Sequence, residues 1–274
     1  MYPLLTEAIA IERVTIAIRD LAPHLQHRKI IQLSDLHYDG YSLSDRTLQD
    51  AIAQVNAEDP DLILLTGDYV TRDPELIHPL AQQLQALHSR WGVIASLGNH
   101  DNHGRPYRQM IIEALQAAGL TVLWNAIAYP WGPDFPVIGL ADLWSSDFQP
   151  QTLLASLPPN LPRLVLSHNP DSAARLQPFR VDLQLSGHTH GGQIVLPTGE
   201  PLPEILLRLR RVVTRWMSTT LGEECDHVIQ HWEWVQGHHY VGTNQLYVNR
   251  GLGSYFPGRF NCSPEITVLT LNPA

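Results

Sequence analysis

The chain has 274 residues, 44% hydrophobic and 16% charged, with a formal net charge of −9 and two cysteines. That length suits one large α/β domain, or a domain carrying an insertion, and holds enough apolar residues for a sizeable core. The acidic balance argues against a nucleic-acid partner, whose affinity comes largely from Lys and Arg on phosphates, and Cys225 and Cys262, outside any CxxC pair, exclude a disulfide framework and suit reduced cytoplasmic thiols.

The start, MYPLLTEAIAIERV, lacks basic residues ahead of its apolar part and carries Glu7, so it does not read as a secretory signal. Residues 29–34 (KIIQLS) form a buried strand that ends directly on DLHYDG. Residues 44–58 carry Leu48, Ala51, Ile52 and Val55 at helical spacing, which places apolar groups on one face. Residues 61–66 (DLILLT) return as a strand ending on Gly67-Asp68. A helical pattern over 74–87 leads to a strand at 92–97 ending on GNHD, and a further helix follows over 105–118. Residues 114–133 are uncharged, but Gln116, Gly119, Asn125 and Pro130 interrupt them, and they do not read as a membrane span. Strands at 164–167 and 183–186 end on His168 and on GHTH. Residues 198–240, rich in Arg, Trp and His, read as an insertion or cap before two last strands near 246–249 and 265–271. The organisation is therefore one domain over 1–274 with that insertion.

Every polar cluster follows the C-terminal end of a strand, the edge at which open α/β sheets bind ligands. In order these are Asp35-x-His37, Gly67-Asp68, Gly98-Asn99-His100-Asp101, His168, and Gly187-His188-Thr189-His190. One such dipeptide means little. Five in succession at strand ends point to a single site assembled from distant segments. Carboxylates, imidazoles and one amide oxygen suit first-row ions such as Mn²⁺, Fe²⁺ or Zn²⁺. Two such ions roughly 3.5–4 Å apart need a shared ligand, and a carboxylate can bridge them.

This set resembles the calcineurin-like metallophosphoesterase superfamily, with its D-x-H, G-D, G-N-H-D/E, H and G-H-x-H blocks, over residues 29–193. GHTHGGQIVLP and VNRGLG are similar to a bacterial branch of small phosphohydrolases, some of which act on lipid-linked phosphoesters. The resemblance implies an α/β fold built as a four-layer αββα sandwich. It implies one ion on Asp35, His37, Asp68 and His190, and a second on Asp68, Asn99, His168 and His188. It further implies hydrolysis of a phosphomonoester or phosphodiester by a hydroxide held between two divalent ions. His100 would donate a proton to the leaving oxygen, and Asp101 would fix the imidazole's tautomer; the alternative for Asp101 is a turn residue or helix cap.

Other positions keep two readings. Arg250, and Arg259 with it, can bind a substrate phosphate or hold a salt bridge. Asp142 lies in GLADLW, where the branch often carries Gly-x-Asp-Asp. Within 204–217, Ile205, Leu209, Val212 and Trp216 form an apolar stripe opposite Arg208, Arg211 and Arg215. Such a helix packs onto its own domain as a cap, or lies at a membrane surface beside a lipid-like substrate, so the cytoplasmic expectation extends to a peripheral membrane position. Two other functions compete: a pyrophosphatase acting on a nucleotide-linked lipid precursor, and a non-catalytic scaffold of the same fold. The complete set of ligand positions and His100 disfavours the scaffold.

Overall fold

The computed structural model describes residues 3–5, 7–208 and 229–274. Two six-stranded sheets form its centre. The first runs β1 (Ala10–Ile18), β12 (Glu265–Pro273), β2 (Lys29–Leu33), β3 (Leu62–Leu65), β4 (Val93–Ser96), β5 (Thr121–Leu123). The second runs β10 (Gly237–Val241), β11 (Asn244–Val248), β9 (Leu183–Ser186), β8 (Leu164–Leu166), β7 (Val137–Gly139), β6 (Ala126–Ala128). Within each sheet the strands that carry the polar clusters run parallel to one another, β2 with β3 and β4 in one sheet and β8 with β9 in the other, while β2 pairs antiparallel with β12 on its other side.

These strands are apolar on both faces because both faces are covered, as parallel strands require. Ile30, Leu62, Leu64 and Ile94 of the first sheet share a core with Leu164, Leu166, Leu183, Leu185 and Tyr247 of the second. The outer face of the first sheet, Ile31, Leu33, Ile63 and Leu65, packs on α1 (Asp45–Ala57), α2 (Ile77–Leu84) and α3 (Arg105–Ala117). The outer face of the second, Ile138 and Val165, packs near α4 (Pro150–Leu154) and α5 (Ser172–Leu176). The result is the αββα sandwich. Each fully buried Leu or Ile contributes about 1.5–3 kcal/mol. Helix α1 starts where sequence places it, with the Ser44 hydroxyl accepting from the Thr47 amide at 3.2 Å.

Three features depart from the reading of the sequence. β1 lies at the edge of the first sheet and pairs in parallel with the last strand, Ala10 opposite Glu265. β5, β6 and β7 are three residues each, and β5 and β6 are the adjoining edge strands through which the chain passes from one sheet to the other. Residues 237–240, assigned above to the insertion, belong to β10 and pair with β11. Residues 202–208 are helical, with Leu206 exposed and Arg208 paired with Glu200 and Glu204. The rest of the amphipathic stripe, including Leu209, Val212 and Trp216, lies outside the described residues. Among the described residues, no helix is long and apolar enough to cross a membrane.

Candidate metal centre

The loops leaving β2, β3, β4, β8 and β9 meet over the common edge of the two sheets. Backbone pairing continues past the strand ends: the Asp35 amide donates to Gly67 O at 3.0 Å, His37 to Asp68 O at 3.0 Å, and Gly187 to His168 O at 2.9 Å. Gln32, buried in β2, donates to Thr66 Oγ1 at 3.0 Å and to Ser186 O at 2.9 Å, which ties β2 to β9 across the sandwich. The distant segments are thereby held in one register.

The backbone at this edge is strained. Asp35, His37, Asp68, His188 and His190 all adopt positive φ, at 51°, 44°, 56°, 71° and 51°. Non-glycine residues in this region cost of order 1 kcal/mol or more each, and persist where surrounding structure over-determines them. Two glycines give the carboxylates room. A Cβ on Gly98 would run into the Asp68 carboxylate, and one on Gly187 into that of Asp35.

Three sets of donor atoms lie within 4.8 Å of one another: Asp35, His37 and His190; Asp68, His168 and His188; and His37, Asp68 and His100. Asp68 connects the first two sets. Its Oδ2 is 3.4 Å from His37 Nε2 and 3.1 Å from His168 Nε2. On the other side His190 Nε2 is 3.5 Å from Asp35 Oδ1 and 3.1 Å from His37 Nε2. The Asp35 carboxylate also accepts the His188 amide at 3.0 Å.

Charge at the site is settled by these contacts. Burial alone would protonate Asp68, but His168 and His37 outweigh it and hold the carboxyl well below its usual range. Asp35 likewise falls, against its burial, through His190 and His168. Burial disfavours a charged His168, yet Asp68 and Asp35 hold it up at about 10. His190 goes the other way: burial takes it down to about 3 despite Asp35.

The residues present fit a pair of divalent cations. Asn99 Oδ1 is a buried atom without a hydrogen-bond partner among the described residues. A buried polar atom left so costs about 1–3 kcal/mol unless something else satisfies it. The donor set is oxygen and imidazole, with no thiolate, which suits Mn²⁺, Fe²⁺ or Zn²⁺. Several imidazoles are oriented from outside the cluster: His168 Nδ1 donates to Thr66 O at 2.7 Å, and His190 Nδ1 lies 3.3 Å from Gly253 O.

His100 is half-buried beside this cluster, its ring 4.9 Å from that of His37 and its amide donating to Asp68 Oδ1 at 2.9 Å. The group that orients its ring is the Thr71 carbonyl, 2.8 Å from Nδ1. Asp101 has a different set of partners from the one expected. Its carboxylate accepts the backbone amides of Asp68 (2.7 Å), Tyr69 (2.9 Å) and Gly98 (2.9 Å), joining the loops after β3 and β4. Burial and the neighbouring Asp68 push it up to about 7.

The two arginines are engaged by protein. Arg250 donates to Glu12 at 2.6 Å and to Ser263 O at 3.0 Å, and lies 3.2 Å from Glu265, the salt-bridge alternative. Arg259 is fully buried and donates to Arg250 O, Gly253 O and Gly251 O (2.7, 2.7 and 3.1 Å) and to His190 O (3.2 Å). It is neither a surface salt bridge nor open to a ligand. Asp142 is buried after β7; burial raises its pKa, and the charges of His168 and Asp68 reach it. Two further side chains at the site carry no motif: Tyr255, its hydroxyl 2.7 Å from His37 Nδ1, and Trp144, its ring 5.0 Å from that of His188. A lone aromatic in a loop gives no signal that sequence reasoning could use.

Comparison with known proteins adds a second line of evidence. A family model described as calcineurin-like phosphoesterase matches residues 28–192. The phosphodiesterase YaeI of Escherichia coli is 36% identical over 89% of this chain and 82% of its own length. The metallophosphoesterase YkuE of Bacillus subtilis is 34% identical, over 92% and 82%. The UDP-2,3-diacylglucosamine pyrophosphatase LpxG of Chlamydia trachomatis is 28% identical, over 90% and 84%. One solved crystal structure, 14% identical, shares the fold with a TM-score of 0.50 over 81% of this chain and 90% of its own.

Proposed function

Because this chain belongs to the calcineurin-like phosphoesterase family, we propose that it hydrolyses phosphomonoesters or phosphodiesters with a pair of divalent metal ions. The observation that carries this reading is the position of Asp68 Oδ2, 3.4 Å from His37 Nε2 and 3.1 Å from His168 Nε2. One carboxylate oxygen stands between two groups of ligand-type side chains, as a bridge must.

In this reading Asp35, His37, Asp68 and His190 hold one ion, and Asp68, Asn99, His168 and His188 the other. Bound Mn²⁺, Fe²⁺ or Zn²⁺ would supply the positive charge that offsets the phosphoryl oxygens and would lower the pKa of an attacking water. The protein's own residues do the rest. His100, with its Nδ1–H on Thr71 O, presents Nε2 as a proton donor to the leaving oxygen. Asp101 acts one step back, by holding the Asp68 and Gly98 amides.

A second reading has one observation in its favour: LpxG, at 28% identity, is named as a pyrophosphatase on a lipid-linked nucleotide. On that reading the substrate is lipid-like, and residues 204–217 contact a membrane surface. Flotation with anionic liposomes tests it, co-flotation at low salt supporting the contact and its absence ending it. The primary reading is tested by assaying purified protein with Mn²⁺, Fe²⁺ or Zn²⁺ on mono-, di- and pyrophosphate esters. Metal-dependent turnover of at least one class is expected; none on any class overturns the assignment.

A further inference from the structure

A metal ligand is placed by the groups that hold it from behind. At this site those groups come from two different parts of the chain. The bridge and the second ion's ligands are held by the segments that follow β3 and β4. His168 Nδ1 donates to Thr66 O at 2.7 Å, and the Asp101 carboxylate accepts the Asp68 and Gly98 amides at 2.7 and 2.9 Å. His190, of the first ligand group, is held from the C-terminal part of the chain. Its Nδ1 lies 3.3 Å from Gly253 O, and its carbonyl accepts from Arg259 Nη1 at 3.2 Å and from Cys262 Sγ at 3.4 Å.

Gly253 belongs to a short segment, residues 251–253, that runs past Asp35, His37 and His190 alike. The Gly253 amide donates to Asp35 O at 2.7 Å, and the Leu252 amide to Ser34 O at 3.0 Å. Asp35 is thus held on both sides, since its own amide donates to Gly67 O at 3.0 Å. A Cβ on Gly251 would run into the Asp35 side chain, and one on Gly253 would press on His37 Cβ. The His188 amide also rests on the Asp35 carboxylate, but its loop keeps a second support in the bond from Gly187 to His168 O, at 2.9 Å. Segment 251–253 lies beyond the residues 28–192 that match the family model, so sequence outside that region completes the first ion's seat.

What sets this segment is Asn249, fully buried just past β11, where the two sheets meet. Its backbone amide donates to Ser186 O of the second sheet at 2.9 Å, and its Nδ2 to Thr267 Oγ1 of the first at 2.7 Å. Its Oδ1 accepts the Gly251 amide at 2.7 Å. A backbone N–H can only donate, so the Gly251 bond fixes which way the Asn249 amide faces. The Thr267 hydroxyl donates in turn to Glu265 Oε1 at 2.6 Å, which leaves its oxygen free to accept from Nδ2.

We infer that Asn249 is a positioning residue for the first metal ion. It clasps the two sheets and sets residues 251–253, which in turn place Asp35 and His190. The inference rests on the two-metal reading proposed above.

Titration with Mn²⁺ in the absence of substrate, following the free ion by electron paramagnetic resonance, reads each equivalent apart from activity. In Asn249→Ala one of two equivalents should weaken about tenfold or more, while the other stays within about threefold of wild type. Two backgrounds identify the affected equivalent. Asn99→Ala removes a ligand of the second ion alone, and adding Asn249→Ala should weaken the equivalent that remains. His190→Ala removes a ligand of the first ion alone, and there the added Asn249→Ala should change the remaining equivalent little. If Asn249→Ala fails to fold, Thr267→Val, which withdraws the partner of its Nδ2, takes its place in all three titrations. Weakening in both backgrounds, the mark of a loosened fold, overturns the positioning role, and so does weakening in neither. A wild type that binds no Mn²⁺ overturns the parent reading, and this one with it.

Discussion

Asp101 Oδ2 accepts the Asp68 amide at 2.7 Å, so the peptide that carries the shared carboxylate hangs from a side chain on the next loop. The same carboxylate takes the Tyr69 and Gly98 amides, both at 2.9 Å. Asp101→Ala should strand three buried N–H groups and destabilise the fold by about 3 kcal/mol or more. Mn²⁺ affinity should fall for both equivalents, because Asp68 serves both. Asp101→Asn keeps one acceptor oxygen and should lie between. Thermal unfolding with metal titration measures this; wild-type values for the alanine variant would refute the tether.

Asp68→Asn should lower metal occupancy at both positions and remove most activity. One carboxylate charge is lost from a site where its Oδ2 approaches both His37 and His168. Elemental analysis of the purified variant is the direct check. Two full equivalents of metal would rule out a bridging role.

Arg259 should prove structural. Its guanidinium is fully buried and donates to the carbonyls of His190, Arg250, Gly251 and Gly253. Arg259→Met leaves those oxygens unpaired and should cost on the order of 3 kcal/mol. For a chain this long that is roughly 6–12 °C in melting temperature. A change below about 2 °C would show that the loops repack without it.

The parts of this site that sequence reveals are those a strand announces. Asp35, Asp68, His168 and His188 each follow an apolar run within two or three residues, and the run's end fixes which edge they occupy. Direction is not announced in the same way. GNHD puts Asp101 beside His100 in the chain, yet the backbone turns it toward the loop after β3, and Thr71, from a different segment, meets the imidazole. Partners far apart in sequence are equally silent. β1 pairs with a strand some 250 residues on, and Tyr255 reaches His37 across 218. β5, β6 and β7, at three residues each, are too short for any periodicity to register.

Metal binding should release a proton. In the metal-free protein Asp68 and Asp35, against the effect of burial, hold His168 up at about 10, so at neutral pH it is protonated. A cation can take its Nε2 only after that proton leaves. Mn²⁺ affinity should therefore rise with pH between 6 and 8, by up to about tenfold per unit for the one proton. Calorimetry in two buffers of different ionisation enthalpy counts the protons. A pH-independent affinity with no proton released would mean that His168 binds no metal.

His100→Ala should keep the metals and lose the chemistry of the leaving group. Its ring sits beside the ligands, its Nδ1–H is held by Thr71 O, and Nε2 remains to give a proton. A general acid works in its protonated form, so its contribution is full at low pH and is lost as pH rises through its pKa. Burial takes that pKa below the ordinary histidine value, only partly opposed by Asp68. The descending limb of the pH–rate profile therefore belongs below the usual histidine range. It should be steep for alkyl phosphoesters, whose leaving groups need the proton, and shallow for p-nitrophenyl esters, whose leaving groups do not. In His100→Ala the limb should vanish for the alkyl esters, with a rate loss of about 10²–10⁴, while Mn²⁺ stoichiometry stays at the wild-type value. An equal loss on both kinds of ester would count against proton donation. It would leave His100 to act on the phosphoryl charge alone, since charge on phosphorus serves both leaving groups alike.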